Sequence, residues 1–271
     1  MNRPVYIFDV DGVINDVHTY SVDSRVLEQI DNLLNQGCYV ALNTGRGYEL
    51  VEEEIINYLR NRPGAHDKLN RVFVAVEMGG LTVSFVDGTE HREPNASSLL
   101  PSQIERVKQL YEQYKVNGVM RWYTGKLSMA TIHKPADVDP KRFLAEGKPL
   151  VVALEKEFSG EDIKIKHNPD AIDITTLEAG KWTGTQLIYD WLRRVSAAQF
   201  THFICFGDNT SDYEMARFLG RQGHAVDFVF TGKNLDDFEH DSNVTLIRTD
   251  GLYNESTYTF LRHNPIKQMS F

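Results

Sequence analysis

Three short apolar runs, Val5-Tyr6-Ile7-Phe8, Cys38-Tyr39-Val40-Ala41-Leu42 and Val72-Phe73-Val74-Ala75-Val76, alternate with segments whose apolar residues recur at helical spacing. This alternation narrows the possible folds more than any other feature of the chain. Val26, Leu27, Ile30, Leu33 and Leu34 outline a helix that Gly37 stops, and Tyr48, Val51, Ile55 and Leu59 outline a second that must end by Pro63-Gly64. Strands separated by helices pair in parallel, because a parallel pair needs a crossover long enough to hold one. The pattern returns near the carboxyl end. A helix carrying Leu187, Ile188, Trp191 and Leu192 precedes the run Phe203-Ile204-Cys205-Phe206, and a further helix, two strand-like runs at 226–230 and 244–247 and a last helix near 253–261 follow. The fold class predicted is α/β, a doubly wound parallel sheet built from both ends of the sequence.

Between these ends the pattern changes. Residues 81–86 followed by Asp87-Gly88 form a hairpin signal, and Ile104, Val107, Leu110 and Tyr111 mark a helix. Strand-like stretches at 118–123 and 126–133 flank Thr124-Gly125, a helix is expected from about Pro149 to Phe158, and two more strand-like stretches lie at 163–167 and 171–175. Strands grouped in this way predict an α+β module inserted at 85–175, leaving 1–84 and 176–271 as the core.

Composition excludes several classes of function. A formal net charge of −9 argues against a broad nucleic-acid or anionic-membrane surface, since both need clustered Lys and Arg. Cys38 and Cys205 each lie in an apolar run and read as buried free thiols. The amino terminus enters a strand within a few residues, leaving no room for a signal-type segment, and no apolar stretch approaches the roughly 20 residues of a membrane span. A soluble, cytoplasmic protein is the expectation.

Ligands bind at the carboxyl ends of the strands in open parallel sheets, and four loops at such places carry chemistry. Asp9-Val10-Asp11-Gly12 follows the first run: alternate residues of an extended chain point the same way, so Asp9 and Asp11 can face one reaction centre, although an Asx-rich turn would look alike. Asn43-Thr44-Gly45-Arg46 offers a hydroxyl, backbone amides and a cation, the elements of an anion site or of an ordinary helix cap. Lys181, at the start of the returning helix, is either a solvated surface residue or an ammonium placed against a transferring phosphoryl group. Asp208 and Asp212 suit a hard cation, while Asp212 alone could be a helix-start acid.

Taken together, these motifs resemble those of the haloacid dehalogenase-like superfamily, with a Rossmann-like core: Asp9-Val10-Asp11-Gly12 its first motif, Thr44 its second, Lys181 its third, and Gly207-Asp208 with Asp212 its fourth. The insertion stands where the type-IIB branch, which includes trehalose-6-phosphate and sucrose-phosphate phosphatases, carries an α+β cap. Lys126-Leu127-Ser128-Met129-Ala130-Thr131-Ile132-His133 resembles a Lys-x-x-Ser-x-x-x-His cap strand of the trehalose-6-phosphate phosphatases. The resemblance implies a Mg²⁺-dependent phosphatase acting on a phosphorylated sugar. Asp9 would be the nucleophile and Asp11 the general acid and base. Thr44, Gly45 and Lys181 would bind the phosphoryl oxygens, and Asp9, Asp11 through its carbonyl, Asp208 and Asp212 would hold Mg²⁺. An acid at Asp11 sets the chain apart from ion-pumping ATPases, which carry Thr there, and from dehalogenases. A hexose phosphomutase or a catalytically silent sugar-phosphate-binding protein are the alternatives. Lys126 and His133 are the candidate substrate contacts in the cap, but seven positions along a regular strand put them on opposite faces, so one of them is expected to be structural.

Overall fold

The computed structural model describes residues 4–196, 200, 202–234 and 241–263. β1 (Val5–Phe8) leads through a loop to α1 (Ser24–Asn35), which starts where the Asp23 carboxylate accepts the Arg25 N–H. Just past the helix end Gly37, with φ of 78°, turns the chain so that the Gly37 and Cys38 amides reach back to the carbonyls of Leu34 and Leu33. After β2 (Tyr39–Asn43) a single helical run covers 48–60: α2 (Tyr48–Val51), a π-wound turn (Glu52–Ile56) and α3 (Asn57–Arg60). α4 (Ala65–Leu69) and β3 (Val72–Val76) follow, then a tight turn (Glu77–Gly79) and the hairpin of β4 (Leu81–Val86) and β5 (Thr89–Pro94). Asp87 and Gly88 both take positive φ at its tip, as a two-residue hairpin loop requires.

The inserted stretch contains α5 (Pro101–Tyr114), β6 (Arg121–Trp122), β7 (Ala130–His133), α6 (Pro140–Glu157), β8 (Ile163–His167) and β9 (Ala171–Thr176). The remainder is α7 (Lys181–Val195), β10 (His202–Gly207), α8 (Thr210–Arg221), β11 (Ala225–Phe230), β12 (Val244–Ile247) and α9 (Asn254–His263).

An eight-stranded sheet has the order β12-β11-β10-β1-β2-β3-β4-β5, parallel from β12 to β3 and antiparallel where β4 turns back on β3. β1 and β10, far apart in sequence, are central neighbours, with Ile7 opposite Cys205 and Phe8 opposite Phe206. Helices cover both faces. Tyr6, Phe8, Val40, Leu42 and Val74 pack with Val26, Ile30, Leu34, Val51 and Ile55 on one side; Val5, Ile7, Ala41 and Phe73 pack with Ile188, Trp191, Met215 and Leu219 on the other. Cys38 and Cys205 are buried and unbonded to each other. Among the described residues no helix is long and apolar enough to cross a membrane.

The chain divides into two compact units, 1–93 with 180–271, and 94–179. The division falls later than the expected 85 and 175, and at its first boundary this is because β5 continues the core sheet from β4, so that all of the hairpin but Pro94 belongs to the first unit. The second unit is a four-stranded antiparallel sheet, β6-β7-β9-β8, one face of which packs Ala130, Ile132, Ile172 and Ile174 against Val107, Phe143, Leu150 and Leu154 of α5 and α6. Two of its elements differ from expectation. α6 begins at Pro140, not Pro149: the Asp139 carboxylate caps the Lys141 and Arg142 amides, Pro140 occupies the first turn, and Pro149 is carried inside the helix. Strand structure is confined to 121–122 and 130–133, with bends and irregular chain through 123–129.

Candidate active site

Asp9 continues β1 by one residue, its amide donating to the Phe206 carbonyl at 3.0 Å, and its carboxylate is buried. Lys181, the first residue of α7, is equally deep. Its ammonium lies 2.7 Å from Asp9 Oδ1 and 2.7 Å from Asp212 Oδ1 and donates to the Asn43 carbonyl at 2.7 Å. The solvated-surface reading of Lys181 is therefore excluded. Asn43 fastens the start of α7 from the other side, its Nδ2 donating to the Lys181 carbonyl at 2.8 Å and to Thr185 Oγ1 at 3.1 Å.

Asp212 is the helix-start acid of α8, and it also faces Lys181. Through Oδ2 it accepts the Asp208 and Asn209 amides at 3.0 and 3.3 Å, completing the capping box that opens α8, and through Oδ1 it faces Lys181. Asp208 stands beside it, and Asp9, Asp208 and Asp212 each offer an oxygen within 4.8 Å of the others. Gly12 makes room for Asp208: its φ is +69° and a Cβ there would overlap the Asp208 carboxylate. Thr231 closes this corner, donating to the Gly12 carbonyl at 2.7 Å.

The Asp11 carboxylate does not join the trio of Asp9, Asp208 and Asp212. Its side chain is 51 % exposed and pairs with Arg46, Nη2 to Oδ1 at 2.8 Å, while Arg46 Nη1 donates to Glu54 at 2.6 Å. Thr44 is fully buried and is not a helix cap: the helical run opens at Tyr48 after Gly47, and Thr44 Oγ1 instead accepts the Arg46 amide at 3.2 Å. Gly45 is half-buried beside it, with the Met78 thioether on the side where a Cβ would project.

Electrostatics favour an added cation here. Burial pushes the Asp9 carboxyl up to about 8 even though Lys181 pulls it down, and burial together with Asp212 pushes Asp208 up to about 6. Burial alone would depress the Lys181 ammonium, but Asp212 and Asp9 outweigh it and hold it above its ordinary value. Once ionised, the three clustered carboxylates outnumber the one ammonium, and an all-oxygen donor set suits a hard divalent ion.

Asn43, Asn15, Glu54, Thr185 and Thr231 are parts of this constellation to which the sequence motifs gave no role. Arg46, read with Thr44-Gly45 as the cation of an anion site, is held instead against Asp11 and Glu54. Thr231 has no local signal, meeting Gly12 across 219 positions.

In the inserted unit, Lys126 Nζ donates to Thr131 Oγ1 at 2.8 Å and lies 3.8 Å from Asp173 Oδ1, to which Thr131 also donates. His133 meets Tyr123 edge-on, ring centroids 5.8 Å apart, and the Lys126 ammonium lies 5.9 Å from the same ring. The two are thus brought to one aromatic side chain. The opposite-face expectation fails because 126–129 is not strand, so alternation does not run through it. Burial, with the charges of Arg121 and Lys126, keeps the His133 imidazole below its usual pKa.

No protein-family model matches the chain, and no curated protein matches it by sequence. Solved structures match over nearly its whole length. The C-terminal domain of Candida albicans trehalose-6-phosphate phosphatase is 15% identical, covering 96% of this chain and 91% of its own, with a TM-score of 0.65. The sucrose-phosphatase of Synechocystis sp. PCC6803, solved with sucrose and phosphate, is 12% identical over 97% and 98% of the two chains, TM-score 0.55. The haloacid dehalogenase subclass IIB sugar phosphatase BT4131 is 14% identical over 96% and 98%, TM-score 0.57. The chain has the haloacid dehalogenase-like fold, a mostly parallel sheet between helices with a separate antiparallel sheet inserted, as in the subclass IIB sugar phosphatases.

Proposed function

We propose that this chain is a Mg²⁺-dependent phosphatase that hydrolyses a phosphorylated sugar through a phosphoryl group carried on Asp9. The observation that carries the reading is the buried Asp9 carboxylate held by Lys181 at 2.7 Å, at the carboxyl end of the central strand and beside Asp208 and Asp212. Asp9 attacks phosphorus and the sugar oxygen leaves. Asp11 gives that oxygen a proton and then takes one from the water that releases phosphate. Lys181, the Thr44 hydroxyl and the Gly45 amide offset charge on the phosphoryl oxygens. Bound by the carboxylates of Asp9, Asp208 and Asp212 and the Asp11 carbonyl, Mg²⁺ would supply further positive charge to the same oxygens.

The sugar class is supported by the fold shared with trehalose-6-phosphate and sucrose-phosphate phosphatases, and we assign Lys126 and His133 to contact with the leaving group. A phosphate-release screen of disaccharide and hexose phosphates with Mg²⁺ tests the proposal, with Asp9→Asn in parallel. Release by the wild type, abolished in Asp9→Asn, is expected. Release that survives Asp9→Asn removes the nucleophile, and transfer of phosphate between positions of one sugar without release makes the chain a mutase.

A further inference from the structure

The Asp11 carboxylate is held unevenly. Oδ1 accepts from Arg46 Nη2 at 2.8 Å, Arg46 Nε at 3.1 Å and Asn15 Nδ2 at 3.0 Å, whereas Oδ2, among the described residues, accepts one longer bond, from Arg46 Nε at 3.3 Å. Each donor is itself fixed. Arg46 Nη1 is tied to Glu54 Oε2 at 2.6 Å, and Glu54 is presented by the π-wound turn (Glu52–Ile56), a winding often found at functional sites. Asn15 is fully buried and accepts the Gly12 amide through Oδ1 at 2.8 Å, which turns its Nδ2 toward Asp11. Three donors occupy the lone pairs of Oδ1. The other oxygen of the half-exposed carboxylate keeps lone-pair room that these donors do not fill.

We infer that Arg46 and Asn15 are positioning residues that lock Oδ1 of Asp11 and so assign the proton transfers to Oδ2, with Glu54 holding Arg46 in place. This rests on the phosphatase reading above. In the first step an Asp9 oxygen bonds to phosphorus, the bond from phosphorus to the sugar oxygen breaks, and the proton on Asp11 Oδ2 goes to that oxygen. In the second a water oxygen bonds to phosphorus, the bond from phosphorus to Asp9 breaks, and a water proton returns to Oδ2. Both steps depend on Oδ2 being aimed. A leaving group stable as an anion relieves only the first.

The test compares wild type, Arg46→Lys, Glu54→Gln and Asp9→Asn on p-nitrophenyl phosphate and on a sugar phosphate that the wild type turns over. Arg46→Lys keeps the charge and loses the two-pronged grip. It is expected to lower kcat on the sugar phosphate about 100-fold with KM unchanged. On p-nitrophenyl phosphate it should release a stoichiometric burst of p-nitrophenolate and then turn over slowly, and Glu54→Gln should move the same way by a smaller factor. A rise in KM with kcat kept would mean that Arg46 grips substrate instead, and equal losses on both substrates without a burst would make its role merely structural; either overturns the inference. So does unchanged turnover in Arg46→Lys. A wild type without turnover, or turnover that survives Asp9→Asn, overturns the underlying reading and the inference with it.

Discussion

At the scale of single residues, the charge balance of the site turns on Asp9. Its carboxyl is pushed up to about 8 and that of Asp208 to about 6, by burial first and by neighbouring acids after it. Both lie above the value of about 3.9 expected for an unfolded chain. The stability linked to these protons is therefore full below about pH 4 and is lost as pH rises through 6 and 8. A divalent cation competes with the same protons, so its binding strengthens over the same range. Metal-free protein is expected to lose thermal stability between about pH 5 and 8 from this source, and Mg²⁺ to raise Tm more at pH 8 than at pH 5. Scanning fluorimetry with and without Mg²⁺ checks this, with Asp9→Asn as the reference that removes the Asp9 share and leaves the smaller Asp208 share. A Mg²⁺ shift as large at pH 5 as at pH 8 contradicts it.

At the scale of elements, the turn after β3 holds the Thr44–Arg46 loop and α7 together. Glu77, Met78 and Gly79 are all left-handed, with φ of 55°, 59° and 83°. Such backbone costs about 1–3 kcal/mol per non-glycine residue and persists only where its surroundings fix it. Here the Glu77 amide donates to the Arg46 carbonyl and the Met78 amide to the Thr44 carbonyl, while the Met78 carbonyl accepts the Gly180 amide that starts α7. Gly79 lies against α7, where a Cβ would sit 2.9 Å from the Gly184 amide nitrogen. Gly79→Ala is expected to cost about 2 kcal/mol or more in urea unfolding, because φ is wrong for Ala and the contact is backbone that cannot swing away. A change under about 0.5 kcal/mol, the ordinary range for a neutral surface substitution, would contradict this account of the turn. Much of the core at this scale was legible in the sequence. Val5–Phe8, 38–42 and 203–206 are unbroken apolar runs that only strands buried on both faces explain, and Gly37 stops α1 as read. The inserted unit was less so. Its strands β6 and β7 are short, the chain between them is irregular, and a proline within α6 looked like a helix start.

At the scale of the whole molecule, the sheet brings loops from both ends of the chain to one place: β1 and β10 are neighbours, so Asp9 meets Asp208 and Asp212, and α7 returns Lys181 to the same corner. Those four acidic and basic side chains were readable because each sits in a short contiguous motif after an apolar run or at a helix start. The hold on Asp11 was not. Arg46 reaches it across 35 positions and Glu54 is placed by a π-wound turn, neither of which leaves a mark on local spacing. The 94–179 unit has a hydrophobic core of its own, Val107, Ile132, Phe143, Leu150 and Ile174 among its members. The central claim is that phosphorus passes through Asp9. Acid-quenching the protein during turnover of a sugar phosphate with Mg²⁺, followed by peptide mass spectrometry, tests it most directly: a phosphoryl group on Asp9, absent in Asp9→Asn, is the result predicted, and turnover with the group on another residue or on none would contradict it.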